Sequence, residues 1–160
     1  MKTMLELTTH LPELAFGPEQ AILVEGDSGT GVWVLVSGAL EVRKGGVVVN
    51  TITEPGAMVG EMSTLLDTSF TATVVTAEHS VLRHAADGEA LLSSDPEVMR
   101  IVAIGLADRL RFVTTYLSDL KQQYGDAPGL SMVADVLGEL TFHRGSVMRP
   151  GSVRDPQPEY

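Results

Sequence analysis

The residues best suited to chemistry lie between Gly56 and Ala77, where the chain reads GAMVGEMSTLLDTSFTATVVTA. Gly60 and Glu61 open a short apolar stretch there, and Ser63 adds a hydroxyl. Backbone N–H groups at a helix start lack intrahelical partners and favour a phosphate, and glycine lets a ligand approach the chain. An ionised carboxylate accepts hydrogen bonds from hydroxyl groups. These residues indicate a site for a hydroxyl-bearing phosphate ligand, the alternative being an ordinary loop between strands.

Catalysis has less support in this sequence. Cysteine is absent, which excludes disulfides, thiolate metal sites and cysteine nucleophiles. A metal-dependent jelly-roll enzyme typically carries a His-x-His pair, but the histidines, His10, His79, His84 and His143, are scattered. Ser63 has no visible base beside it. We therefore predict neither an enzyme nor a metal site.

Charge and composition restrict the classes of binding partner that can be expected. The formal net charge is -10 over 160 residues, without a basic segment. Contact with a nucleic-acid backbone or an anionic membrane depends on Lys and Arg, so neither partner is expected. No signal-peptide pattern or long uncharged apolar run occurs, which predicts a cytoplasmic protein.

Hydrophobic periodicity predicts a mainly β fold. Short β-branched runs alternate with glycine-bearing turns, as is typical of a sandwich or barrel. The runs cover residues 21–24, 32–36, 40–42, 47–52, 71–77 and 80–82. Gly45 and Gly46 give the strongest hairpin signal. Together with a short helical pattern within residues 1–15, these features predict an antiparallel jelly-roll barrel with a short N-terminal helix and a helical insert near Gly60.

A long helix is predicted from Pro96 to Tyr124. Ser94 or Asp95 is placed to cap it, and Gly125 is placed to end it. Its apolar residues step alternately by four and three, which is typical of a coiled-coil seam. The seam consists of Met99, Ala103, Leu106, Leu110, Val113, Leu117, Leu120 and Tyr124. We predict a parallel homodimer through this seam, the alternative being a helix folded wholly onto its own domain.

The remaining residues, 126–160, contain a short amphipathic helix from about Ser131 to Thr141 and a polar tail. The segment is too short for a DNA-reading winged helix, which needs a recognition helix behind another helix. We therefore predict one domain over residues 1–125. The C-terminal segment is expected to dock on the dimer or on an outside protein partner.

The stretch after Gly56 resembles the phosphate-binding cassette of cyclic-nucleotide-binding domains of the catabolite-activator and protein-kinase-A regulatory type. That cassette reads roughly Phe-Gly-Glu-Leu-Ala-Leu-Leu and, after a short gap, Pro-Arg-Thr-Ala-Thr-Val. The matching residues here are Gly60, Glu61, Met62, Ser63, Leu65, Leu66, Thr71, Ala72, Thr73 and Val74. Further family landmarks occur in order, so that the resemblance extends over about residues 10–125. We call residues 60–74 the cassette.

The resemblance implies a site for cAMP or cGMP without any cofactor. The ligand phosphate would rest on the amides of Met62 and Ser63 and on the segment of Thr71 and Ala72. Glu61 would take a ribose hydroxyl.

One cassette position departs from the family. The phosphate-binding arginine falls on Phe70. A hydrogen bond to a charged group is worth about 1.5 to 3 kcal/mol, and losing roughly 3 kcal/mol weakens binding about a hundredfold. In decreasing order we expect weak nucleotide binding, a different ligand packed against Phe70, or a pocket retained only as part of the fold.

Positions on the long helix also carry over from the resemblance. Arg109 lies where activators place an arginine near the cassette glutamate, which implies an Arg109–Glu61 pair or, alternatively, a solvated charge. A base-contacting Thr-Ser pair falls on Val113 and Thr114, of which only Thr114 keeps a hydroxyl. The predicted function is a homodimeric, non-catalytic sensor of a cyclic nucleotide. The alternative is a ligand-free dimerisation or scaffold domain whose phosphate site is filled by Phe70.

Overall fold

The computed structural model describes residues 1–124, 132–133 and 135–137. These residues belong to two compact units, the first formed by residues 1–102 and the second beginning at Ala103. None of the helices in the described ranges is long and apolar enough to cross a membrane.

The first unit carries all the strands that the structure describes. In chain order the elements are α1 (Met4–Leu7), β1 (Glu13–Phe16), β2 (Ala21–Leu23), β3 (Val32–Ser37), β4 (Leu40–Lys44), β5 (Val47–Ile52), β6 (Met58–Val59), α2 (Glu61–Leu66), β7 (Thr73–Thr76), β8 (Ser80–Ala85), α3 (Gly88–Ser94) and α4 (Pro96–Tyr124). Helix α4 begins in the first unit, where Val98 and Val102 are buried, and continues into the second.

The strands form two antiparallel four-stranded sheets, in the orders β1-β8-β3-β6 and β2-β7-β4-β5. Both sheets contribute to one core cluster, which consists of Leu23, Leu35, Leu40, Val59, Val74 and Leu82. This is an antiparallel β-sandwich, the architecture that double-sheet jelly rolls share. The prediction of a mainly β fold with a short N-terminal helix, a cassette helix and a long C-terminal helix is confirmed. Closure into a barrel is not, because the described residues contain no ladder between the edge strands of the two sheets.

The N-terminal segment differs from its predicted form. A helical pattern was expected within residues 1–15, but α1 ends at Leu7 and residues 13–16 pair with β8, from Phe16 opposite Ser80 to Glu13 opposite Arg83. The Arg83 guanidinium fixes this arrangement, since it donates to the carbonyl oxygen of Leu5 at 2.6 Å and to Glu13 Oε1 at 3.1 Å. Leucine spacing alone does not reveal such cross-strand pairing, which overrides local preference.

Several local predictions are confirmed. Gly45 and Gly46 take positive φ values of 56° and 79° in the turn between β4 and β5. At the start of α4, Asp95 Oδ1 accepts a hydrogen bond from the Glu97 amide at 2.8 Å, as a helix cap does. Gly125 lies outside the described residues. Of the predicted helix 131–141, residues 132–133 and 135–137 are helical, and the others lie outside the described ranges.

Candidate functional site

Gly60 immediately precedes α2 and takes a left-handed backbone conformation, with φ at 93°. A Cβ atom added to Gly60 would lie 2.7 Å from the carbonyl oxygen of Gly31. The structure gives Gly60 a packing role, and its interpretation as an opening for a ligand stays a prediction. The glycine is required because another backbone segment packs against it and because its φ disfavours side chains.

We expect Gly60→Ala to lower the free energy of unfolding by about 1 to 3 kcal/mol, since it combines a strained φ with a steric clash. Chemical denaturation measures the loss. Gly17→Ala is the matched control, because a Cβ at Gly17 meets no atom within 4 Å. Equal unfolding free energies for the two variants would contradict this assignment.

Glu61 and Ser63 lie on the first turn of α2 and are only 3% and 4% exposed. The carboxylate predicted to bind a ligand hydroxyl is therefore inside the sandwich unit and away from bulk water. The Ser63 hydroxyl donates to the carbonyl oxygen of Ser69 at 3.3 Å, and the Thr68 amide donates to the carbonyl oxygen of Ser63 at 3.1 Å. Ser63 thus fixes the loop after α2. Met62, between the two, is exposed.

Phe70 occupies the arginine position of the resembling family and is partly buried against the core cluster. Its ring covers Gly29 so closely that a Cβ there would lie 2.8 Å from the Cζ atom of Phe70. The Phe70 amide donates to the carbonyl oxygen of Asp27, and the Gly26 amide donates to that of Phe70, both at 2.9 Å. The ring is therefore held as part of the hydrophobic packing.

Thr71 and Ala72 follow Phe70 and precede β7, which begins at Thr73, two residues later than predicted. The Thr71 side chain is exposed. The backbone carbonyl oxygen of Thr71 accepts a hydrogen bond from Lys44 Nζ at 2.8 Å. Lys44 Nζ also lies 3.9 Å from Glu25 Oε1. Sequence reasoning missed Lys44. Its contact depends on the pairing of β4 with β7, which no local pattern in the sequence marks.

The histidines give no metal centre in the part of the chain that the structure describes, where no group of three or more His, Asp or Glu is placed to hold an ion. His84 stacks on Trp33, with ring centroids 3.9 Å apart and the planes 20° from parallel. Burial lowers the pKa of His84 below its ordinary value of 6.5. The imidazole therefore serves as a packing group, and its neutral form is favoured.

The α4 residues that were assigned to the ligand site, Arg109, Val113 and Thr114, lie on the part of α4 that belongs to the second unit. Arg109 and Val113 are exposed and Thr114 is half-buried. Their contacts with a ligand, and the Arg109–Glu61 pair, stay predictions.

The seam residues keep considerable apolar exposure in the single chain. Met99 is 37% exposed, Leu110 47%, Val113 44% and Tyr124 54%. Ala103 is also exposed, whereas Leu106, Leu117 and Leu120 are half-buried.

Comparison with known proteins supports the resemblance to cyclic-nucleotide-binding domains. The cyclic nucleotide-binding domain family matches residues 13–89. Among solved structures, the chain is similar to the catabolite activator protein of Thermus thermophilus, with 27% identity and a TM-score of 0.60 over 72% of this chain and 57% of that one. It is also similar to cAMP-bound PfPKA-R, with 22% identity and a TM-score of 0.52 over 71% of this chain and 37% of that one.

A third similar structure comes from work on a cyclic-GMP-dependent signalling pathway in bacterial phytopathogenesis, with 20% identity and a TM-score of 0.56. That match covers 68% of this chain and 95% of the other. The chain spans less than two thirds of the length of PfPKA-R and of the catabolite activator. The two matches at 22% and 20% identity show the fold alone.

Proposed function

Because residues 13–89 belong to the cyclic nucleotide-binding domain family, we propose that this chain is a regulatory module that binds cAMP or cGMP at the cassette. The observation that carries the proposal is the placement of Glu61. At the first residue of α2, directly after a left-handed Gly60, this glutamate is only 3% exposed. A carboxylate in that position is suited to accept a hydrogen bond from a ribose hydroxyl.

The proposed contacts follow the cassette. The phosphate rests on the amides of Met62 and Ser63 and on the segment of Thr71 and Ala72, while Glu61 takes the ribose hydroxyl. Hydrogen bonds to ionised groups are the stronger ones, so the loss of a guanidinium at Phe70 weakens the phosphate contact. The module senses its ligand without catalysis.

Signalling in this proposal uses α4 and the C-terminal segment. The seam joins two copies into a homodimer, and residues 126–160 present a surface to a protein partner. A ligand changes this arrangement only if it binds one position of the helix better than another.

Titration calorimetry with cAMP and cGMP on the native chain and on Glu61→Gln tests the proposal. We expect the substitution to weaken binding about tenfold, because it replaces a charged acceptor with a neutral amide. Glu78→Gln, at an exposed glutamate before β8, is the matched control and should bind as the native chain does. Thermal unfolding by circular dichroism verifies that each variant is folded. Equal affinities for native chain and Glu61→Gln would contradict the proposal.

The packing of Phe70 favours a second candidate function, a ligand-free dimerisation or scaffold domain. The ring contacts the core cluster, so hydrocarbon occupies the position where the family places a guanidinium. In this case neither nucleotide binds the native chain, while the dimer persists.

A further inference from the structure

The described strands carry three cationic side chains, and two of them, Arg43 and Arg83, donate hydrogen bonds to carboxylates. Arg43 donates to Glu41 at 2.7 Å and to Glu19 at 3.2 Å. Arg83 is held by Glu13 and by the carbonyl oxygen of Leu5. Lys44 differs, because its closest acceptor is the backbone of the cassette.

The alternation of side chains along β4 explains how Lys44 reaches the cassette. Leu40 is fully buried and Val42 packs against the core cluster, whereas Glu41 and Arg43 pair with each other. Successive side chains of a strand point to opposite faces, so Lys44 shares the face of Leu40 and Val42 at the end of the strand.

The register between β4 and β7 brings Lys44 close to Thr71, the cassette residue after Phe70. Val42 lies opposite Val74 and Arg43 opposite Thr73. Lys44 is the next residue along β4, and its ammonium donates to the carbonyl oxygen of Thr71 at 2.8 Å. The ammonium therefore bonds to the residue that follows Phe70, and Phe70 is the position where the resembling family has its arginine.

We propose that Lys44 is the phosphate-binding cation of this site and supplies the positive charge that Phe70 lacks. The inference rests on the proposed function and adds a residue to it. An ammonium offers three donors. One is used by Thr71, and Glu25 Oε1 at 3.9 Å is an ion-pair partner beyond hydrogen-bond distance. Among the described residues no other acceptor bonds to this ammonium, which leaves donors for phosphate oxygens.

Glu25 sets the strength of this contact. Its Oε2 atom accepts a hydrogen bond from the Gly45 amide at 3.1 Å, and its own amide donates to Thr73 Oγ1 at 2.9 Å. The carboxylate is thereby fixed beside the ammonium, where it partly neutralises the charge and repels a phosphate. Lysine also binds phosphate as a point charge, without the two-pronged geometry of arginine. Binding through Lys44 is therefore weaker than binding through an arginine and is reduced by added salt.

Calorimetric titration of cAMP and cGMP into the native chain, Lys44→Met, Lys44→Arg and Glu25→Gln tests this role. We expect Lys44→Met to weaken binding about tenfold, Lys44→Arg to bind at least as tightly as the native chain, and Glu25→Gln to strengthen binding. Lys2→Met, which removes a lysine outside the strands, is the matched control and should leave affinity unchanged.

The Phe70→Arg background makes the test specific. Once a guanidinium supplies the phosphate contact, Lys44→Met should weaken nucleotide binding by a smaller factor than it does in the native chain. Such non-additivity is expected of groups that share a partner. Nucleotide binding by the native chain that Lys44→Met leaves unchanged would overturn the role of Lys44 while leaving the proposed function intact. Binding of neither nucleotide by the native chain would overturn both.

Discussion

Phe70→Arg is expected to raise the affinity for cAMP or cGMP about a hundredfold, because a guanidinium adds two charge-assisted hydrogen bonds to the phosphate. Calorimetric titration of the native chain and the variant measures the change. The ring now packs against the core cluster and over Gly29, so the same substitution should lower the free energy of unfolding by about 1 to 3 kcal/mol. Tighter binding together with lower stability is the expected combination.

Phe70→Leu is the matched control for this substitution. It keeps hydrocarbon at the position and adds no charge, so its nucleotide affinity should equal that of the native chain. If Phe70→Arg binds no better than Phe70→Leu, the departure from the family cassette does not limit binding, and the ligand is held in a different way.

Leu110→Glu is expected to convert the proposed homodimer to a monomer. Leu110 lies in the middle of the seam and is 47% exposed in the single chain, and Val113, the next seam residue, is 44% exposed. In a parallel pair of helices the same seam position of each copy meets its counterpart, so the substitution sets two carboxylates against each other in an apolar interface. Analytical ultracentrifugation at micromolar concentrations measures the change in mass.

Phe112→Glu provides the control for the dimer experiment. Phe112 is 72% exposed on the same helix but lies outside the seam, so this variant should remain dimeric. A native chain that sediments as a monomer, or a Leu110→Glu variant that remains dimeric, would contradict the proposed seam. Loss of the dimer in both variants would place the interface on a wider face of α4.

The elements best predicted from the sequence carry complete local signals. Helix α4 spans the predicted residues, Pro96–Tyr124, because a cap at Asp95 and a sustained apolar repeat define it without distant contacts. Strand β5 also matches its predicted range, Val47–Ile52, next to a glycine turn. In contrast, β6 has two residues and α3 has seven, which are too short for periodicity to mark.

The contacts of the candidate-site residues depend partly on local sequence and partly on distant strands. The sequence places Gly60 and Glu61 at the cassette, and the structure buries Glu61 there. The contact that makes Gly60 necessary comes from Gly31, which is distant along the chain. Lys44 reaches Thr71 through the register of β4 and β7. Both features depend on which strands become neighbours, and no local pattern contains that information.

Calorimetric titration of the native chain with cAMP and with cGMP, with Phe70→Arg titrated in parallel, tests directly whether this chain binds a cyclic nucleotide. We expect saturable binding of a cyclic nucleotide by the native chain at one site per copy, and tighter binding of the same nucleotide by Phe70→Arg. Absence of binding heat from both nucleotides with both proteins, each shown to be folded, would contradict it and would favour a scaffold domain that binds no ligand.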